Sequence, residues 1–322
     1  MIVIKRLDKW NLRLNKKREK MIENLIVKVN PLLTLLFPFV GVYKHSVRVN
    51  IGMTNRKGVV GHEQYAKIFG TARELFGLDR IPNFAQEAGK IYLLKTCEAQ
   101  YKYFDNFVFG DVILAIVRVT QVNGASVYLQ CVFVNKKTKK IHAVGEQLVA
   151  YTDMSGIPKR LPYWLSCLNK LICSKKHEDF ESSPSQLKGQ TIFRTEMLVT
   201  TEMTNAEKNV SHDEFPKIMS RAIEEHILRV KNNNPDGIET LDVIEASYAY
   251  KRDYFFGDRI VVNLSAAYEP GRIVYWARLE NEKGELRSYC KQAVRIPEAQ
   301  VAVSPKRIEA SPVATKPPEI VN

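Results

Sequence analysis

A chain of 322 residues with 45% hydrophobic and 26% charged residues has the make-up of one large or two ordinary soluble domains, not of a disordered chain. The five cysteines (Cys97, Cys131, Cys167, Cys173 and Cys290) are odd in number and form no CxxC pair, which points to a reducing, cytoplasmic setting without structural zinc. The net charge of +13 suits phosphate-bearing partners such as coenzyme A, an acidic carrier protein or anionic lipid. No nucleic-acid motif or basic stripe interleaved with aromatics accompanies that charge, so nucleic acid is not an expected partner.

Residues 1–45 hold ten Lys/Arg against three Asp/Glu and so supply +7 of the charge. The following PLLTLLFPFVGVY is too short to span a bilayer and is broken by Pro38. Three readings of this extension stand side by side: peripheral contact with an anionic membrane surface, packing onto the body, or a start codon placed too early. SVRVNIGM (46–53) alternates like a strand, and from His62 the residues Tyr65, Ile68, Phe69, Ala72 and Phe76 recur at helical spacing. Gly77 and Pro82 are expected to end that helix. Four strand-like runs follow, IYLLKTCEAQYKYF, DVILAIVRVTQV, SVYLQCVFVN and HAVGEQLVAYTD, joined by short turns.

Residues 155–189 read as a linker with one short helix. The plan then starts again: TIFRTEMLV, a helix over Phe215 to Val230, and the runs LDVIEASYAY, RIVVNLSAAY, RIVYWARLE and LRSYCKQAVRI. The tail from 299 to 322 is rich in Pro, Ala and Val without periodicity and reads as disordered. The repetition is literal. Residues 53–74 and 203–224, at offset 150, share nine of 22 positions, among them Met53, Thr54, Asn55, His62 and Glu74. Residues 98–111 and 245–258, at offset 147, share seven of 14. One unit of ordinary domain size is therefore expected twice, over 46–154 and 190–298.

A strand, a glycine turn, one long helix and a four-strand meander resemble the hot-dog fold. The frame Asn55, Gly58, Tyr65, Ala72 and Arg73 is similar in spacing to acyl-thioesterases of the 4-hydroxybenzoyl-CoA type. Thr54, Asn55, Gly58, Arg73 and Glu74, with TCEAQYKYF followed by GDVI, most resemble the enediyne polyketide thioesterases. The resemblance implies an α+β fold of two tandem hot-dog domains, each a long helix wrapped by an antiparallel sheet. It implies hydrolysis of acyl-CoA or acyl-carrier-protein thioesters without metal or cofactor, and leaves self-association open.

The carboxylate-bearing branch uses an Asp where this chain has Asn55. An asparagine is neither a nucleophile nor a base, but its amide can donate to a developing oxyanion. The implied site has water as nucleophile, with Asn55, Arg73 and backbone N–H groups near Gly58 polarising the thioester. Tyr65 is the remaining catalytic candidate, and Gly58, Val59 and Val60 are expected to meet the substrate. In the second copy Gly58 becomes Lys208 and Arg73 becomes Ile223, so that copy is expected to be structural, lending at most Tyr248, Tyr250 or Asp253 to an acyl pocket.

Plainer readings stand beside these. Asn55 satisfies turns well on its own account, and a helical Arg73 can be a solvated or surface-paired side chain. His62–Glu63 and His212–Asp213 evoke a metal site but are ordinary first-turn residues of a helix, and the histidines are read as bystanders. Three alternatives to hydrolysis remain: acyl transfer with decarboxylation, which needs a nucleophile such as Tyr65; dehydration; and acyl-thioester binding without turnover.

Overall fold

The computed structural model describes residues 42–80, 92–153, 157–161, 189–205, 208–230 and 242–295. The basic extension (1–41), most of the expected linker and the tail beyond 295 lie outside the described residues. Among those described, ten strands and two long helices follow one another in two similar series. The first comprises β1 (Tyr43–Arg48), α1 (His62–Arg80), β2 (Tyr92–Tyr103), β3 (Val112–Asn123), β4 (Ser126–Asn135) and β5 (Ile141–Asp153). The second comprises β6 (Phe193–Leu198), α2 (Phe215–Val230), β7 (Val243–Tyr250), β8 (Arg259–Glu269), β9 (Arg272–Glu280) and β10 (Leu286–Arg295).

All ten strands form one antiparallel sheet in the order β1-β3-β4-β5-β2-β7-β10-β9-β8-β6. Read outward from the centre, the two halves have matching strand orders. At the seam between β2 and β7, Gln100 lies opposite Ser247, and these two residues differ by the repeat's own offset of 147. The flanking pairs Glu98–Ala249 and Lys102–Glu245 exchange partners under the same offset. The seam is thus a local two-fold of the isologous kind.

The predicted helical stripe is buried throughout: Tyr65, Ile68, Phe69, Ala72 and Phe76 all enter the core, as do Phe215, Ile218, Met219, Ala222 and Ile223 of α2. Each wholly buried Ile, Phe or Met contributes about 1.5–3 kcal/mol, so the stripes secure the helices to the sheet. Helix α1 rests on β1, β3 and β5, α2 on the equivalent β6, β8 and β10, and the helices touch each other.

Three expectations need correction. The first strand ends at Arg48, and Ile51–Met53 instead form a single 3-10 turn that leads the chain into Asn55. Gly77 does not end α1, which runs on to Arg80; a helical glycine costs only about 1 kcal/mol and packing overrides it. His212 and Asp213 are not in a helical first turn, because α2 begins at Phe215. Pro216 explains this, since a proline is tolerated only in the first turn of a helix.

Candidate active site

Asn55 folds the chain into a tight turn. Its side-chain Oδ1 accepts the backbone N–H groups of Lys57 (2.9 Å) and Val59 (3.4 Å). Its backbone carbonyl accepts Gly58 N–H and its own N–H reaches Val59 O. Gly58 sits at φ +74°, where a side chain is strained. The N–H of Val60 goes to Phe107 O and that of Gly61 to Met53 O. The backbone donors around Gly58 are therefore already engaged. The unspent ones belong to the start of α1, where a helix leaves its first N–H groups without internal partners.

This turn and the start of α1 form one wall of a cleft of about 390 Å³, contributed by Asn55, Val59, Val60, His62, Glu63 and Tyr65. The facing wall is α2, through Lys217, Ser220, Arg221 and Glu224. The cleft is thus walled by both halves of the chain. Gly61 shapes it: a Cβ there would lie 2.1 Å from Glu63 Oε1, so only glycine lets this carboxylate fold back over the helix start. Glu63 Oε2 then lies 3.6 Å from His62 Nδ1. The other ring nitrogen, Nε2, is 3.0 Å from Ser220 Oγ and 3.3 Å from Gln292 Nε2.

Burial holds the His62 pKa below its ordinary value, against the opposing pull of Glu63. Glu224 is raised, first by burial and then by the charge of Glu63. The Tyr65 hydroxyl is buried with the Phe107 backbone N–H beside it, and it donates no hydrogen bond among the described residues. Its ring is clasped edge-on by Tyr103 and Phe133, and burial pushes its pKa up, so it stays a donor.

The equivalent place in the second half is built differently. The Asn205 turn keeps its backbone bonds, Lys208 N–H to Asn205 O and Asn205 N–H to Asn209 O. Lys208 holds φ +63° where the first half has glycine, so the turn outlives the loss of its glycine. Beyond it His212 faces Gly70, whose absent Cβ would come within 3.1 Å of the imidazole; the hydroxyl of Ser220 has no counterpart there. His212 Nε2 is buried without a hydrogen bond among the described residues. Burial and then the charge of Arg73 depress its pKa to about 3.

Arg73 therefore belongs to the His212 side and does not line the cleft of Asn55. It is buried, donating to Thr96 Oγ1 (2.7 Å) and Gln147 Oε1 (2.9 Å). Asn55, Tyr65, Val59 and Val60 are brought together; Gly58 shapes the turn without lining the cleft. Tyr248 takes a hydrogen bond from Gln292, Tyr250 donates to His212 O, and Asp253 pairs with Lys95, all away from the cleft lining. The histidine read as a bystander, His62, lies in the cleft. Ser220, Glu224 and Gln292 went unnoticed in the sequence, though Ser220 was detectable as a departure from the repeat, standing where the first copy has Gly70.

Residues 49–167 match the family model of the thioesterase-like superfamily. No curated protein matches the chain in sequence. Among solved structures, an acyl-ACP thioesterase from Bacteroides thetaiotaomicron superposes with a TM-score of 0.63 at 10% identity, over 79% of this chain and 98% of its own. A 12:0-ACP thioesterase from Umbellularia californica does so with a TM-score of 0.64 at 9% identity, over 81% and 97%. At such identities the likeness is one of fold, the hot-dog thioesterase fold with a large antiparallel sheet. Residues 49–167, which hold the Asn55 turn, α1 and β2–β5, are thus similar to the thioesterase-like superfamily.

Proposed function

We propose that the protein hydrolyses acyl thioesters in the cleft between the Asn55 turn and α2, with the acyl group carried by coenzyme A or an acyl carrier protein. In this reading the chain is a tandem pair of hot dogs, over 46–154 and 190–298, each wrapping its own helix. The observation that carries the reading is the pair of unspent donors on one wall of the cleft. Tyr65 offers a buried hydroxyl that donates to no group among the described residues. Asn55, whose Oδ1 is held by its own turn, has its amide N–H₂ to give. Such donors stabilise the oxyanion formed when water adds to a thioester carbonyl, and each is typically worth ~3 kcal/mol in the transition state. Arg73 takes no part, being spent on Thr96 and Gln147. Lys57, Lys217 and Arg221 at the cleft suit the phosphates of a coenzyme or the acidic face of a carrier.

The test is turnover of the purified chain on a panel of acyl-CoA and acyl-carrier thioesters, with Asn55→Ala beside it. Hydrolysis that Asn55→Ala slows at least 10-fold, with the variant still folded, is the expected result. Binding of thioesters without turnover would replace the reading by that of an acyl-thioester-binding protein.

A further inference from the structure

Neither donor of the proposed oxyanion site can take the proton that an attacking water must lose. We propose that His62 takes that proton through the hydroxyl of Ser220, so that the proton path crosses from one half of the chain to the other. The inference rests on the hydrolase reading and deepens it.

Both donors and acceptors surround the ring of His62. Arg73 only donates, so its bond to Gln147 Oε1 makes the other amide atom the nitrogen facing Tyr101, at 3.0 Å. Gln292 stands in the same place in the second half, and its Nε2 faces Tyr248 OH at 3.0 Å. That same nitrogen, a donor only, also lies 3.4 Å from the Pro216 carbonyl and 3.3 Å from His62 Nε2. Ser220 Oγ is closer to His62 Nε2 (3.0 Å) than to Gln292 Oε1 (3.4 Å). With the proton of neutral His62 on Nδ1, towards Glu63, Nε2 is left to accept from Ser220 Oγ.

The step then balances. Water oxygen bonds to the thioester carbonyl carbon as its proton passes to Ser220 Oγ, and the Ser220 proton passes to His62 Nε2. Glu63 faces the imidazolium so formed. On collapse the carbon–sulfur bond breaks, and the proton returns along the same path to the thiolate, leaving a carboxylic acid and a thiol. The groups facing His62 are Glu63 on its own helix, Ser220 with Lys217, Arg221 and Glu224 on α2, Gln292 on β10, and the ring of Tyr103 on β2. The counterpart His212 meets Gly70 and Arg73 instead of a hydroxyl, so among the described residues the second half has no such path.

Two measurements decide, and the first needs no turnover. NMR of the histidine ring nitrogens in the full chain, with His62→Gln to assign the signal, should show the Nδ1–H tautomer at neutral pH; the Nε2–H tautomer overturns the proposal. On decanoyl-CoA, His62→Gln and Ser220→Ala should each lower kcat by ~10² or more with KM little changed. Imidazole should restore part of the activity of His62→Gly, and the acid limb of the pH–rate profile should vanish in that variant. Wild-type rates in His62→Gln, loss confined to Glu224→Gln, or an acyl adduct on Ser220 in acid-quenched samples would each overturn the path. If no thioester of the panel is hydrolysed by the unmodified chain, the hydrolase reading fails while the tautomer still decides the state of His62.

Discussion

The two asparagine turns share a backbone and differ in what surrounds them. Both open with Met-Thr-Asn, both follow a 3-10 turn, and both close through a residue at positive φ. Around the first, a tyrosine hydroxyl, a histidine and a facing serine meet in a cleft. Around the second the tyrosine is Phe215, the facing serine is Gly70, and an arginine has replaced an isoleucine. A turn is preserved by its own hydrogen bonds, whereas chemistry depends on side chains supplied by the other half. Divergence of the helices therefore altered one site without unfolding either loop.

The largest expected effect separates Tyr65 from Phe215. Tyr65→Phe should lower kcat by about 100-fold, the loss of one oxyanion donor, with little change in thermal stability because the hydroxyl donates to no group among the described residues. Equal turnover in Tyr65→Phe would remove the main chemical difference between the halves.

Next comes acid stability. His212 has a folded pKa of about 3 against an ordinary 6.5, so below 6.5 the unfolded chain binds a proton that the folded one refuses. The stability linked to this group is full above about 6.5 and is lost as pH falls towards 3. His212→Asn should flatten the acid side of a urea-midpoint profile, and Arg73→Met, removing one cause of the depression, should narrow the window. A profile unchanged by either substitution would mean the Arg73–His212 opposition is not there.

The smallest effect tests the turns themselves. Lys208→Gly should stabilise the protein by about 1 kcal/mol, and Gly58→Lys should destabilise it by a similar amount, because a left-handed residue with a Cβ costs ~1–2 kcal/mol. Urea denaturation measures both. Opposite signs at equivalent positions would confirm that the second turn carries strain the first lacks.

Strands, helices and their order were legible because alternation and helical spacing report which faces are buried, and β2–β5 and β7–β10 lie where those patterns put them. The one-turn break at Ile51–Met53 was hidden by apolar residues that look like more strand; Ile51 is in fact 80% exposed. Asn55 was legible as a candidate because it is repeated in Met-Thr-Asn, and Tyr65 because it stands in the resembled family's frame. Arg73 was joined to them by the resembled family's frame, yet its buried side chain turns to Thr96 and Gln147. Which helix face meets which half is a property of the seam, and no local pattern encodes it. Ser220 and Gln292 escaped for the same reason: they join His62 from 158 and 230 residues away.

That seam also bears on how the chain reaches its fold. Strands β2 and β7 meet near residues 100 and 247, a contact between segments far apart in sequence, and such contacts slow the search. Each half can close its own meander first through near neighbours. The final step is then a docking of two preformed sheets held on one tether, where the local concentration of the partner strand far exceeds that of any other copy. A chain truncated between the halves would expose β2 as a bare, unpaired edge and invite pairing with strangers. The cleft, walled by both halves, comes into being only when that last zipper closes.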